Sequence, residues 1–223
     1  LNQWQDLLQA PRLISKMKDR NIVLITGYAR AGKDTFRAGI AQGAGKHPVV
    51  PRNFADSLKE AANSFLEHLD FNDAGNPDFY LHPNSKNFFS DPFKVKHRTV
   101  LVELGKFARS LNRNVFAENF TNWVRRSAPY ECGFDGSKPH TIVCSDWRYL
   151  NEYQVVLNDL GAGYNIITVR VNTIGVEPAN EEEGLSIAEI TREMPMNHEF
   201  TFSPNNWQIV KAEGKNLGAR LPR

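Results

Sequence analysis

Cysteine is almost missing from this 223-residue chain, with Cys132 and Cys144 its only two. Two thiols make neither a disulfide framework nor a zinc site, and the reading that follows is a protein of a reducing cytoplasm. Long apolar runs are missing as well, which removes a membrane-spanning helix. So is an excess of either charge. The chain has 27 Lys and Arg against 25 Asp and Glu, a net of +2, and that balance lacks the footprint of a dedicated nucleic-acid binder. There is no internal repeat and no low-complexity tract. Residues 1–20 are polar and broken by Pro11, unlike a secretory signal.

What is present suits one globular domain with a full core: 41% of residues are hydrophobic and 23% charged. A helix is expected over residues 2–18. The short apolar run at 22–26 is of the kind found in buried parallel strands. A glycine-bounded turn follows at 27–32, then a helix at 33–42, a strand at 49–54 and an amphipathic helix at 56–69, capped by Asp56 or Ser57. The stretch 70–93 is rich in Asn, Asp, Pro and Phe and reads as a loop or insertion. Helices are expected at 94–111 and 115–127, a loop at 128–140, a strand at 141–145, a helix at 149–160 closed by Gly161, and a strand at 164–171. Residues 172–204 read as an irregular segment around a short helix at 186–192, and 207–212 as a last strand before a basic tail. Strands alternating with helices imply right-handed crossovers and a parallel sheet.

The strongest motif is Gly27-Tyr28-Ala29-Arg30-Ala31-Gly32-Lys33-Asp34-Thr35. Two glycines with four residues between them, followed by lysine, suit a turn whose backbone N–H groups wrap the β- and γ-phosphates of a nucleotide. The following helix aims its positive end at that anion. Gly27, Arg30, Ala31, Gly32, Lys33, Asp34 and Thr35 are therefore the expected ATP-binding residues. Lys33 neutralises phosphate charge. Asp34 stands where a Ser or Thr usually meets Mg²⁺, and its carboxylate is the first candidate metal ligand.

Ligands of parallel sheets gather at the carboxyl ends of the strands. There the sequence offers Asp56 and Lys59 after strand 2, and Asp146, Arg148 and Glu152 after strand 3. Asp146 is the second candidate for magnesium. Arg148 and Glu152, four apart, read as a helix-surface pair worth a few tenths of a kcal/mol, ~0.3. The segment 94–126 is basic and aromatic, and Arg98 and the stretch Lys106 to Arg109 are its candidates for reaching an anionic substrate; most of its other charges read as a solvated face.

Taken together, these residues resemble the bacteriophage deoxynucleoside monophosphate kinases, a branch of the P-loop nucleoside monophosphate kinases. The resemblance rests on the G-x-x-x-x-G-K-D-T loop with its Asp34, and on Phe54, Ala55, Leu58 and Lys59 after strand 2. Arg98 before Leu104-Gly105, then Trp123, and D-x-R at Asp146 and Arg148 with Glu152 nearby complete it. It spans roughly residues 21–171. It implies an α/β P-loop NTPase three-layer fold, with a parallel sheet flanked by helices. The chain is then a single domain over 1–223, with a helical substrate-binding region at 70–127 and a lid at 172–204.

The implied reaction is phosphoryl transfer from ATP, with Mg²⁺, to a deoxynucleoside 5'-monophosphate, giving dNDP and ADP in the cytoplasm (of the host, if phage-encoded). Lys33, Arg98 and Arg148 are the expected catalytic residues. Asp56, Lys59, Arg98, Trp123 and Arg148 are the expected substrate contacts, and Asp34 and Asp146 the expected metal ligands. Neither a nucleic acid nor a membrane is an expected partner, and a homodimer stays open. Two other readings stand beside this one: a kinase with a hydroxyl acceptor, resembling dephospho-coenzyme A kinase, with Asp56 as base, and a non-catalytic nucleotide-binding module.

Overall fold

The computed structural model describes residues 19–68, 88–126 and 139–222. The expected helix at 2–18, most of the loops at 70–93 and 128–140, and Cys132 lie outside them. Five parallel strands form one sheet in the order β2-β3-β1-β4-β5. They are β1 (Arg20–Thr26), β2 (Val49–Pro51), β3 (His140–Cys144), β4 (Asn165–Thr173) and β5 (His198–Phe202). The helices are α1 (Lys33–Gly43), α2 (Asp56–His68), α3 (Asp91–Lys96), α4 (Arg98–Leu111), α5 (Val115–Arg126), α6 (Leu150–Leu160), α7 (Glu181–Glu193) and α8 (Trp207–Arg220).

The central position of β1 follows from its residues. Ile22 to Thr26 are all buried, as a strand covered on both faces requires. In register, Ile22 lies between Ile142 of β3 and Ile166 of β4. Alternate side chains serve opposite faces. Ile22, Leu24, Ile142 and Cys144 meet Phe116, Phe120, Trp147 and Val156 from the α5 and α6 side. Val23, Ile25, Val143, Val169 and Val171 meet Phe36, Ile40, Val210 and Leu217 from α1 and α8. The result is three layers, helix on sheet on helix, as the alternating pattern predicts. A smaller cluster of Ala62, Phe88 and Phe93, flanked by Leu66, Leu101 and Leu104, joins α2, α3 and α4.

The pairing of α1 with α8 depends on the absence of side chains. A Cβ on Gly39 would lie 2.2 Å from the Lys211 carbonyl oxygen, and one on Gly214 would lie 2.2 Å from that of Phe36. The two backbones touch there, and this fixes where the start of α1 stands over the sheet.

The structure corrects several boundaries. Residues 207–212 open helix α8 and form no strand. Val210, Gly214, Leu217 and Gly218 are its buried positions, a helical spacing. The last strand is β5, which pairs with β4 from Val169↔His198 to Thr173↔Phe202. Within the segment 172–204, β4 runs to Thr173 and β5 takes 198–202. What remains between them carries α7, which runs from Glu181 to Glu193 and is six residues longer than the short helix expected at 186–192. Residues 94–111 are two helices that meet at His97, and α3 begins inside the stretch read as loop. Among the described residues no helix is long and apolar enough to cross a membrane.

Candidate functional site

The chain leaves β1 through a tight loop at the carboxyl end of the sheet. Gly27 has φ 140°, and a Cβ there would fall 2.0 Å from the Val171 carbonyl oxygen. Gly32 has φ 89° and is the N-cap of α1. Both backbone conformations favour glycine, which explains the spacing seen in the sequence. Between them Arg30 also holds a positive φ of 66°, with its side chain exposed. Ala31 is buried. Its N–H bonds the Tyr28 carbonyl at 3.1 Å, and its carbonyl accepts from Thr173 Oγ1 at 3.1 Å.

The first intrahelical bond runs from Phe36 N–H to the Gly32 carbonyl, 2.9 Å. Among the described residues, no acceptor serves the amides of Gly32, Lys33, Asp34 or Thr35. These are the orphan donors of a helix N-terminus, and they surround a loop that curls over them. Lys33 folds back onto the same loop, with Nζ 2.6 Å from both the Gly27 and Tyr28 carbonyl oxygens. Burial, and then the neighbouring Arg148 guanidinium, lower its pKa to about 8. A phosphate arriving there would relieve both effects.

Asp34 has an exposed side chain. Its Oδ1 accepts from Ser145 Oγ at 2.8 Å and faces Arg37 at 3.3 Å. Ser145 follows the end of β3, and its N–H donates to Asn53 Oδ1 at 2.9 Å. Sequence reasoning did not single out Ser145 or Asn53. Among the described residues no group of three or more His, Cys, Asp or Glu is assembled for a metal. Mg²⁺ takes one or two carboxylates and completes its shell with phosphate and water. Asp34, its second oxygen unbonded among the described residues, fits such a role. Asp146 fits it less well. Its Oδ1 accepts from Phe54 N–H at 2.9 Å and its Oδ2 from Ala55 N–H at 3.0 Å. The expected metal ligand is occupied as the anchor of the loop after β2.

Arg148 is half-exposed, with NH2 3.4 Å from Oε1 of buried Glu183. The same Glu183 oxygen accepts from Ala29 N–H at 3.2 Å, and its Oε2 accepts from Ala179 N–H at 2.7 Å. One carboxylate thus ties the start of α7 to both the glycine loop and Arg148. Sequence reasoning did not single out Glu183. The signal it passed over was Asn180 three residues before Glu183, a capping pattern. Asn180 Oδ1 does accept from Glu183 N–H at 2.9 Å.

Glu152 is no surface partner of the Arg148 guanidinium. It is buried, and its Oε2 accepts the backbone N–H groups of Arg148 at 3.0 Å and Tyr149 at 3.1 Å. Burial raises its pKa to about 8, against the pull of those two amides and with the Asp146 charge adding to it. Asp56 lies at the start of α2. Its Oδ2 accepts from Asn53 N–H at 2.7 Å and its Oδ1 from Lys59 Nζ at 2.8 Å, so the two expected substrate residues bind each other. Trp123 lies half-buried beneath the Arg52 guanidinium, 5.0 Å from ring centroid to Cζ. Arg98 is exposed at the first position of α4.

Lys33, Asp34, Ser145, Arg148 and Glu183 therefore form one linked group around the loop. Among the described residues, nothing ties Arg98 to it. A cavity of about 150 Å³ opens nearby, between the end of α4, the start of α5 and the start of α6. A larger one, about 200 Å³, lies against Ile167, His198 and the end of α8, away from the loop.

No family model matches the sequence, and no curated protein matches it. Among solved structures, a candidate kinase from Chloroflexus aurantiacus J-10-fl is similar over 92% of this chain and 100% of its own. Its sequence identity is 16% and the TM-score 0.41, a level at which neither function nor detailed fold carries over.

Proposed function

We propose that this chain transfers the γ-phosphoryl group of ATP to a deoxynucleoside 5'-monophosphate, giving dNDP and ADP. The observation that carries the reading is the β1–α1 turn. Its four unserved amides, the Lys33 ammonium at their foot and Arg148 at their mouth make a cradle for a polyphosphate. The acceptor class rests on the resemblance carried by the G-x-x-x-x-G-K-D-T loop and by Asp146 and Arg148.

In this scheme the loop amides and Lys33 grip the β- and γ-phosphates and hold the γ-phosphorus in line. Asp34, kept in place by Ser145, holds Mg²⁺. The ion's contribution is to spread the negative charge of the donor phosphates. An oxygen of the acceptor phosphate attacks the γ-phosphorus while the bond to the β–γ bridging oxygen breaks. With a second pKa near ~6, that acceptor is largely a dianion at neutral pH, so no general base is required. The obstacle is repulsion between two polyanions, and Arg148 meets it by shifting from Glu183 toward the transferred group. A hydroxyl acceptor would need a base. Asp56, the candidate for that work, has both oxygens committed to Asn53 and Lys59.

The test is ADP release from Mg·ATP in the presence of each common dNMP and NMP in turn, with Lys33→Ala as control. The expected result is release that depends on a monophosphate and falls by at least ~100-fold in the variant, as for loss of a group stabilising transferred charge. No stimulation by any monophosphate, in protein that binds ATP, would overturn the acceptor assignment.

A further inference from the structure

We infer that the cavity beside Tyr149 is a phosphate-monoester pocket, with Arg109 as its principal anion ligand and Arg113 at its rim. The inference rests on the phosphoryl-transfer reading for its role: this is where the acceptor monophosphate is held. It moves the main acceptor contact away from Arg98 and Trp123.

The cavity is lined by Arg109 and Arg113 from the end of α4 and the turn beyond it. Phe116 comes from α5, and Tyr149, Asn151 and Glu152 from the start of α6. Arg109 is the unusual member. Its guanidinium carbon lies 4.6 Å from the Tyr149 ring centroid and 4.9 Å from that of Phe116. Two aromatic faces hold the group in place, yet among the described residues it makes no hydrogen bond and no ion pair. A half-buried guanidinium retains its full charge. Stacking satisfies its faces and leaves its N–H edge unmet, and that edge is the part that grips phosphate bidentately. Glu152 feels the Arg109 charge but forms no ion pair with it among the described residues. Its Oε2 is given to backbone amides, and burial pushes the carboxyl toward its neutral form. Asn151 braces the rim by donating to the Arg113 carbonyl at 3.2 Å and to Asn114 Oδ1 at 2.9 Å.

The pocket also adjoins the glycine loop through continuous bonds. Tyr149 Oη donates to Glu182, the neighbour of Glu183, and Glu183 meets Ala29 and Arg148. A cavity of about 150 Å³ suits a phosphate and part of its sugar, with the base left outside. The surfaces closest to it are cationic and aromatic, which favours a dianion over a neutral nucleoside.

The experiment is calorimetric titration of the full chain, without ATP, by each of the four dNMPs and by the matching deoxynucleosides. Variants are Arg109→Gln, Arg109→Lys, Arg113→Gln, Arg98→Gln and Lys33→Ala. The expected result is binding of at least one dNMP, with the matching nucleoside weaker by tenfold or more. Arg109→Gln should weaken the dNMP by ten- to a hundredfold, Arg109→Lys by less, and Arg113→Gln by several-fold. Lys33→Ala should leave it within twofold. Arg113 is exposed, so its variant reads the pocket even if Arg109→Gln fails to fold. Equal binding of nucleoside and monophosphate would overturn the inference. So would loss of binding in Arg98→Gln with Arg109→Gln and Arg113→Gln unaffected. Wild-type protein that binds Mg·ATP but no monophosphate would overturn the pocket and leave the loop reading standing. Monophosphate binding that needs Arg109, in protein that ignores ATP, would support the pocket and sink the donor assignment.

Discussion

A buried carboxyl that prefers to keep its proton has a measurable effect on stability. Glu152 titrates near its ordinary value of 4.5 in the unfolded chain and near about 8 in the folded one. Between those values the folded state holds more protons, so stability falls as pH rises. The contribution is complete below pH ~4.5 and is lost by about pH 8, and its size is of order a few kcal/mol. The wild-type midpoint in urea should therefore drift downward from pH 5 to pH 8, and Glu152→Gln should flatten that drift. Gln keeps an oxygen for the Arg148 and Tyr149 amides and carries no charge at any pH. An equal slope in both proteins would exclude Glu152 as its source. The sequence placed Glu152 near the right residue but on the wrong side of the surface. Its distance from Arg148 fits a solvent-exposed helical pair as well as it fits a side chain reaching back to cap its own helix. What separates the two is the burial of Glu152 in the folded chain, which no local spacing encodes.

At the scale of elements, the contact between α1 and α8 decides how the loop is presented. Alanine is intrinsically better than glycine inside a helix by up to ~1 kcal/mol, so Gly214→Ala would stabilise an isolated α8. Here the new methyl would meet the Phe36 carbonyl oxygen at 2.2 Å, and backbone cannot step aside as a side chain can. Overpacking of this kind costs about 1–3 kcal/mol, which exceeds the gain. The expected outcome is a lower urea midpoint with an unchanged slope.

The same helix shows what the sequence left unread. β1, its glycine turn and α1 are local: an apolar run, two glycines at fixed spacing and a helical pattern within some twenty residues. The neighbouring strands β3 and β4 are apolar runs of the same kind. The identity of α8 is not local. Trp207, Ile209 and Val210 have side chains at home in a strand, and only the seating of Gly214 and Gly218 on α1 reveals the helix. Conversely, β5 is a half-exposed strand with two aromatic side chains, Phe200 and Phe202, on one side. Its signal is too short to stand out beside α7. Glu183 was hidden for the same reason, because its partners Ala29 and Arg148 are 154 and 35 residues away in sequence.

For the molecule as a whole, the proposed donor site follows β1, whose residues Ile22 to Thr26 are all buried. A ligand gripped by the loop after β1 is coupled to the global fold rather than to a fraying edge. Mg·ATP at about a hundred times its Kd should then add ~2.7 kcal/mol to stability. For a chain of this size that is roughly 5–10 °C in Tm. Lys33→Ala should show little or none of it, as differential scanning calorimetry would record. An equal rise in both proteins would place the nucleotide elsewhere.

The two borders of the sheet are unequal. β2 is three residues long and ends in Pro51, which has no N–H to offer. Short length and proline are both ways of refusing a further strand. β5 has five residues and, among the described residues, no strand on its outer side. Its outward groups form a ready template for hydrogen bonding to another chain. Concentrated or partly unfolded protein should therefore self-associate from the β5 border, with β2 inert. A single lysine or proline placed on β5 would be the economical way to make this molecule better behaved in solution.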